Sequence, residues 1–275
     1  MNRSLFGCGF LMAFCLAAAA GGVLAQEPGP SEFQPVVGQP GKDVVWVPTP
    51  QELVDKMLDL AKVTPEDYVI DLGSGDGRTV IAAAKRGATA LGIEYNPDMV
   101  ELSRQNAAQA GVTDKARFAQ ADLFESDLTP ATVITMFLLP DINMRLRPTL
   151  LSLKPGTRIV SNSFTMEDWI ADASVTAESG CTTWCTAHLW IVPARAEGKW
   201  KLPQGELNLQ QSFQMLSGTL ESGGKKTPIQ GKMKGDEITF TAGDAEYIGR
   251  VYGETMTGKL KYGLDNSSWS ATLVK

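Results

Sequence analysis

Val69-Ile70-Asp71-Leu72-Gly73-Ser74-Gly75-Asp76-Gly77-Arg78 is the stretch on which the reading of the whole chain turns. An apolar run meets an aspartate, and glycines then stand at every second position, at 73, 75 and 77. Glycine is required where the backbone takes positive φ or must approach a ligand with no β-carbon in the way. A dinucleotide fingerprint spaces its glycines G-x-G-x-x-G and turns a helix N-terminus toward a pyrophosphate. Here the spacing is G-x-G-x-G behind an acid. A carboxylate at that place repels a pyrophosphate and suits a ligand carrying an ammonium group.

Outward from this turn, hydrophobic spacing alternates between the helical and the strand period, the signature of helices laid on a mainly parallel sheet. Leu53, Val54, Met57, Leu58 and Ala61 share one helical face. Strands are predicted at 68–72, 88–94, 116–121, 131–139 and 157–163, with helices near 79–85, 96–110 and 142–153, the last interrupted by Pro148. Two further strands, 174–181 and 185–192, follow so closely that they form a hairpin with Thr182-Thr183-Trp184 as its turn. Seven strands with an antiparallel last pair are what the α/β, Rossmann-like sheet of class I methyltransferases uses; the pattern alone is shared with other doubly wound folds, and the first turn makes the choice. Glu94 ends the second strand, where a carboxylate accepts from two ribose hydroxyls; Asp122 ends the third, placed to receive an adenine amino group. A single aspartate at a strand end has an ordinary reading as a helix cap. Three acids at successive strand ends beside the topological switch point instead indicate a pocket for S-adenosylmethionine.

Four stretches resemble one family: Val47-Pro48-Thr49 with Gln51; Asp71 to Lys85; Gly92 to Pro97; and Asp122-Leu123-Phe124. Residues 45 to about 170 are similar to the seven-strand protein-lysine methyltransferases that act on mitochondrial carriers and on the membrane-rotor protein of the ATP synthase, with their bacterial relatives, and more distantly to Dot1-type enzymes. The resemblance implies S-adenosyl-L-methionine as cofactor, contacts at Asp71, Gly73, Gly75, Glu94 and Asp122, and a protein lysine as acceptor. Ser74, Gly77, Tyr95, Asn96 and Leu123 complete the candidate cofactor residues.

The acceptor should lie at the end of the fourth strand, Met136-Phe137-Leu138-Leu139-Pro140-Asp141. This stretch lacks the Asn/Asp-Pro-Pro-aromatic signature that holds planar amides and nucleobases, which disfavours methylation of DNA bases or glutamine. Pro140 and Asp141 are candidate acceptor contacts, Asp141 having an alternative reading as a helix N-cap. Trp46 and Thr49, just before the first helix, are placed to close over the cofactor. Methyl transfer from a sulfonium is an in-line displacement that positioning can carry without a metal, and no catalytic base is assigned.

The 275 residues are 43% hydrophobic and carry a formal charge of −6, with no basic cluster, which argues against a nucleic-acid partner. With a single histidine, His188, and four cysteines there is little material for a metal cage or a hydrolase triad. Met1 to Ala25 reads as a secretory signal peptide: a basic start, an apolar stretch, and small residues before a cleavage point. It implies a periplasmic location; an uncleaved segment would instead anchor the chain in a membrane. Residues 26–44, rich in proline and glycine, read as an extended linker. In an oxidising compartment Cys181 and Cys185 can pair as a disulfide across the hairpin turn. Their C-x3-C-x2-H spacing with His188 does not complete a zinc or iron–sulfur pattern, so His188 reads as a strand residue.

The sheet domain is predicted over 45–195. Beyond it, 198–275 changes texture to short alternating runs, at 206–214, 215–221, 228–234, 237–242, 246–252, 255–261 and 268–274, separated by glycine turns. Such a meander closes as a small all-β barrel or folds as a sandwich, serving either as a structural cover or as a binding module. The expectation is an exported two-domain methyltransferase with a protein substrate; the alternative is a non-catalytic envelope protein with a vestigial pocket and a binding β-domain.

Overall fold

A computed structural model describes residues 33–275; the predicted leader, with Cys8 and Cys15, lies outside the described residues. The sheet has seven strands: β1 (Tyr68–Leu72), β2 (Thr89–Glu94), β3 (Ala116–Gln120), β4 (Val133–Met136), β5 (Arg158–Asn162), β6 (Ala173–Thr176) and β7 (Thr186–Ile191). Their order is β3-β2-β1-β4-β5-β7-β6. The first five run parallel, while β7 pairs antiparallel with both β5 and β6. Chain order reverses between β1 and β4, so the carboxyl ends of these two strands open a crevice.

Four helices flank the sheet: α1 (Gln51–Leu60), α2 (Arg78–Lys85), α3 (Pro97–Gln109) and α4 (Pro140–Leu151). Leu53, Val54, Met57 and Leu58 bury one face of α1. Pro97 occupies the first helical position of α3, where its missing N–H costs nothing, and Asn96 caps the helix by accepting from Asp98 N at 2.9 Å. The predicted break at Pro148 does not occur. α4 runs through it because Ile142, Leu146 and Leu150 anchor one face in the core. Asp141 is not the N-cap either: Leu139 holds that position, and Asp141 lies in the first turn beside the helix dipole.

The hairpin prediction is corrected in its turn. β6 ends at Thr176, and the connection Ala177–Cys185 is much longer than the three residues 182–184. Glu52 on α1 is the cause: its carboxylate accepts from Glu178 N (3.0 Å), Ser179 N (3.1 Å) and Ser179 Oγ (2.6 Å), drawing the chain off the sheet.

The remainder of the chain is a closed eight-stranded antiparallel barrel, β8 (Gly198–Leu202), β9 (Gly205–Ser212), β10 (Met215–Ser222), β11 (Lys225–Lys234), β12 (Glu237–Ala242), β13 (Ala245–Tyr252), β14 (Thr255–Tyr262) and β15 (Asp265–Leu273). β8 escapes the sequence reading, and it is the strand that closes the barrel between β15 and β9. Phe240, Tyr247 and Trp269 fill the interior, Phe240 stacking on Tyr247 at 4.5 Å and meeting Trp269 edge-on. The barrel packs on the β5–β6 connection. Phe213 stacks on the buried Trp169 at 5.9 Å, Gln214 Nε2 donates to Ile170 O at 2.7 Å, and Lys232 Nζ lies 2.8 Å from Asp172 Oδ1. Among the described residues no helix is long and apolar enough to cross a membrane.

Candidate functional site

The crevice at the switch point is a cleft, and the sequence-predicted residues divide around it. Asp71, Gly73, Ser74, Gly75, Glu94, Tyr95, Asn96, Asp122 and Leu123 line it, as do Trp46 and Thr49. Gly77, Pro140 and Asp141 do not.

Gly77 serves packing instead. It is the N-cap of α2 at φ 81°, and a β-carbon there would stand 2.7 Å from the Phe118 ring, so its absence lets α2 settle on β3. Pro140 and Asp141 open α4 and are exposed on its first turn, outside the cleft lining.

The three strand-end acids have distinct surroundings. Asp71, 6% exposed, accepts a hydrogen bond from Thr135 Oγ1 at 2.6 Å. Burial pushes its carboxyl up to about 7, against the Thr135 hydrogen bond and with help from the charges of Glu94 and Asp76. No cation among the described residues acts on it. Such a carboxylate is short of positive charge, and an ammonium group delivered by a ligand supplies it. Glu94 is pinned by two backbone donors, Gly75 N to Oε2 and Asn96 N to Oε1, both at 2.9 Å. Its oxygens keep lone pairs for hydroxyl donors, and the pinning fixes where they point. Asp122 is held below the usual carboxylate range, first by a hydrogen bond from Lys42 and then by Phe124 N, which donates to Oδ1 at 2.9 Å.

Lys42 is the unexpected member. The segment predicted as a linker up to residue 44 folds back as a small two-stranded turn: Gly38 N donates to Trp46 O, Trp46 N to Gln39 O, and Pro40 bridges Val45. This flap lies across the cleft, with Lys42 paired to Asp122 and 4.8 Å above the Tyr95 ring. Gly38, Pro40 and Gly41, which suggest a tether, instead stand in tight turns. Trp46 at the end of the flap abuts the glycine turn so closely that a β-carbon on Gly75, at φ 54°, would stand 2.6 Å from Trp46 Nε1. Arg78 ties the two together, donating to Asp76 (Nε to Oδ1, 2.9 Å) and to Thr49 O (2.9 Å).

The opposite wall is apolar. Phe137 and Leu139 follow β4, Phe164 follows β5, and Trp184 reaches in from the β6–β7 connection. Phe137 stacks on Phe164 and meets Trp184 at an angle, with both pairs of ring centroids 6.0 Å apart. Of these three aromatic residues the sequence places only Phe137 near the acceptor, in the stretch that ends the fourth strand; Phe164 and Trp184 are distant along the chain, and only the third dimension brings them to it. Cys181 and Cys185 are joined in a disulfide with Cα atoms 5.7 Å apart, so neither sulfur is a free metal ligand. His188 sits on β7 with Nδ1 2.8 Å from Ser174 Oγ, its pKa lowered by burial, and outside the cleft lining.

These features fit S-adenosylmethionine on their own terms. A cation-starved carboxylate would suit the amino-acid ammonium, a pinned carboxylate would suit the ribose, and the glycine turn lies between them.

The ANTKMT methyltransferase domain family matches residues 71–173. A protein-lysine N-methyltransferase of Saccharolobus islandicus is 41% identical over 152 residues, covering 54% of this chain and 94% of that protein. The adenine nucleotide translocase lysine N-methyltransferase of Mus musculus is 34% identical over 128 residues, 46% of this chain; the match spans 56% of the mouse protein's length. Among solved structures, an RNA methyltransferase from Salinibacter ruber in complex with S-adenosyl-L-homocysteine is 48% identical with a TM-score of 0.51, covering 54% of this chain and 95% of that one.

Proposed function

This chain belongs to the methyltransferase family of those relatives, and on that premise we propose that it uses S-adenosylmethionine to methylate the side-chain amine of a protein lysine. The observation that carries the proposal is the division of the cleft. Asp71, Glu94 and Asp122 from three successive strand ends line one side, and an aromatic wall without charged groups lines the other. The bound donor supplies a methyl group already activated on a sulfonium. What the protein contributes is placement: Asp71 and Glu94 fix the donor by charge and hydrogen bonds, while the flap of Trp46 and the apolar wall exclude water. The amine must be neutral to attack, so its proton has to be lost to solvent before transfer.

The names of the archaeal and animal relatives support lysine as acceptor, and the formal charge of −6 gives no attraction for an RNA backbone. The leader-like first 25 residues support export to the periplasm, where Cys181 and Cys185 would pair. The test is to incubate the purified full-length protein with methyl-labelled donor and a cell-envelope extract, then locate the label by mass spectrometry. Label on lysine side chains is expected. Label on RNA, or no binding of donor or demethylated product by calorimetry, overturns the reading. Cell fractionation with N-terminal sequencing tests the location; intact protein beginning at Met1 in the cytoplasmic fraction sinks it.

A further inference from the structure

The connection Ala177–Cys185 is fastened more firmly than a surface loop needs. Glu52 holds its first half through three hydrogen bonds, Ala177 N donates to Cys185 O at 2.8 Å, and the disulfide closes residues 181–185 into a small ring. Inside that ring Trp184 adopts φ 56°, a left-handed conformation that is costly for a bulky side chain. Hydrophobic burial does not explain the cost, because Trp184 remains 46% exposed. What it does reach is the mouth of the cleft, against Phe137, which in turn stacks on Phe164.

We propose that the disulfide-closed loop presents Trp184 as the third wall of an aromatic slot, with Phe137 and Phe164, that receives the alkylammonium end of the acceptor. The inference rests on the lysine reading above and assigns the acceptor's place. Aromatic side chains that line the cleft attract an organic cation and exclude water from it. During transfer the nitrogen–carbon bond forms as the sulfur–carbon bond breaks. The bonding pair stays on sulfur, positive charge appears on nitrogen, and the proton has already left to solvent. Aromatic faces around the nitrogen therefore favour the transition state over the neutral amine. The disulfide acts as a positioning device: it sets where the indole stands, and Glu52 sets where the ring of residues 181–185 stands.

The test uses the full-length protein saturated with S-adenosylhomocysteine and a matched pair of probes. Choline and 3,3-dimethylbutan-1-ol have the same shape and differ by one charge. Choline should bind about tenfold more tightly than the alcohol, as expected for a desolvated cation over aromatic rings. Trp184→Leu keeps an apolar side chain and should cut that preference to about threefold or less, while Trp184→Phe should restore most of it. Cys181→Ser with Cys185→Ser should weaken choline binding several-fold. Affinity for S-adenosylhomocysteine should stay unchanged in every variant, which also reports that the variant is folded. Equal binding of the two probes by the wild type, or a Trp184→Leu protein that prefers choline as strongly as the wild type, overturns the inference. If label in the envelope extract falls on lysine while the probes bind equally, the slot alone is wrong. If the label falls on RNA, the acceptor reading falls and takes the slot's role with it.

Discussion

The two sides of the cleft recognise by different physics. On the donor side three carboxylates stand at strand ends, each with defined partners: Thr135 for Asp71, two backbone amides for Glu94, Lys42 for Asp122. On the acceptor side Phe137, Phe164 and Trp184 offer ring faces and no charge. Charge recognition depends on single groups at fixed points, so one substitution should remove most of it. Recognition by surface is shared among several rings, so single truncations there should act in smaller steps. Substitutions that cross from one side to the other in their effect would break this division.

The largest effect should come from Asp71→Asn. It keeps the shape and the Thr135 contact but removes the charge that an ammonium group meets; a lost charge-assisted hydrogen bond in a buried site costs about 2–3 kcal/mol. S-adenosylhomocysteine should bind about a hundredfold more weakly by calorimetry. The wild type should show the same dependence through pH. With the Asp71 carboxyl at about 7 in the ligand-free protein, affinity should rise from pH 6 to pH 8 and then level off. The asparagine variant should be flat across that range.

The same carboxyl has a price in stability, and its sign can be worked out. The folded value of about 7 lies above the ordinary 3.8, so between these pH values the folded state binds more protons than the unfolded state. Stability of the ligand-free protein should therefore fall as pH rises from about 4 to about 7, by an amount on the order of a few kcal/mol. Thermal melts at pH 8 should show Asp71→Asn above the wild type. A variant melting at or below wild type there would mean that the buried charge is compensated.

Gly75→Ala comes next. Its β-carbon would require a shift of Trp46 and a left-handed alanine at φ 54°. An effect of about 1–2 kcal/mol on stability is expected, with weaker donor binding as the flap is pushed off the turn. Melting and calorimetry on one sample check both. Phe213→Ala tests the other side from a distance. The ring belongs to the turn between β9 and β10 and stacks on Trp169, which sits in the β5–β6 connection that also carries Phe164. Its loss should cost about 1–2 kcal/mol, and should raise the KM for the acceptor while leaving affinity for S-adenosylhomocysteine unchanged. A change in cofactor affinity would show the two sides to be mechanically coupled.

The same division explains what is legible in the sequence. The parallel strands are legible because each carries an apolar run bounded by turn residues, and the turn 73–77 because its glycines are close together in the chain. Donor-side residues follow strand ends in order, so a strand prediction locates them. Phe137 obeys the same rule, directly after the fourth strand, but Phe164 and Trp184 are not found by it, because an isolated aromatic residue in a loop carries no local pattern. β8 escapes although Lys199-Trp200-Lys201-Leu202 alternates as a strand does, because the run is very short and Pro203 follows it directly. The flap escapes for the opposite reason. Its composition matches an extended linker, and what folds it back is a set of contacts to Asp122, Tyr95 and Gly75 that lie far along the chain.

That flap gives the smallest predicted effect and the one most informative about the donor side. Asp122 reads from sequence as the acceptor for an adenine amino group, yet its carboxylate already takes a hydrogen bond from Lys42. The ion pair is at the surface, where such pairs contribute little, so a ligand can displace it at small cost. Lys42→Ala should leave Asp122 free and tighten S-adenosylhomocysteine binding about two- to fivefold, less than one tenfold step. Added salt separates this from a loss of flap packing. Screening weakens an exposed pair, so wild-type affinity should rise modestly with ionic strength while that of Lys42→Ala should not. Weaker binding by the variant would mean that Lys42 holds the flap down on the ligand, and that the amine over the Tyr95 ring belongs to the closed state of the site.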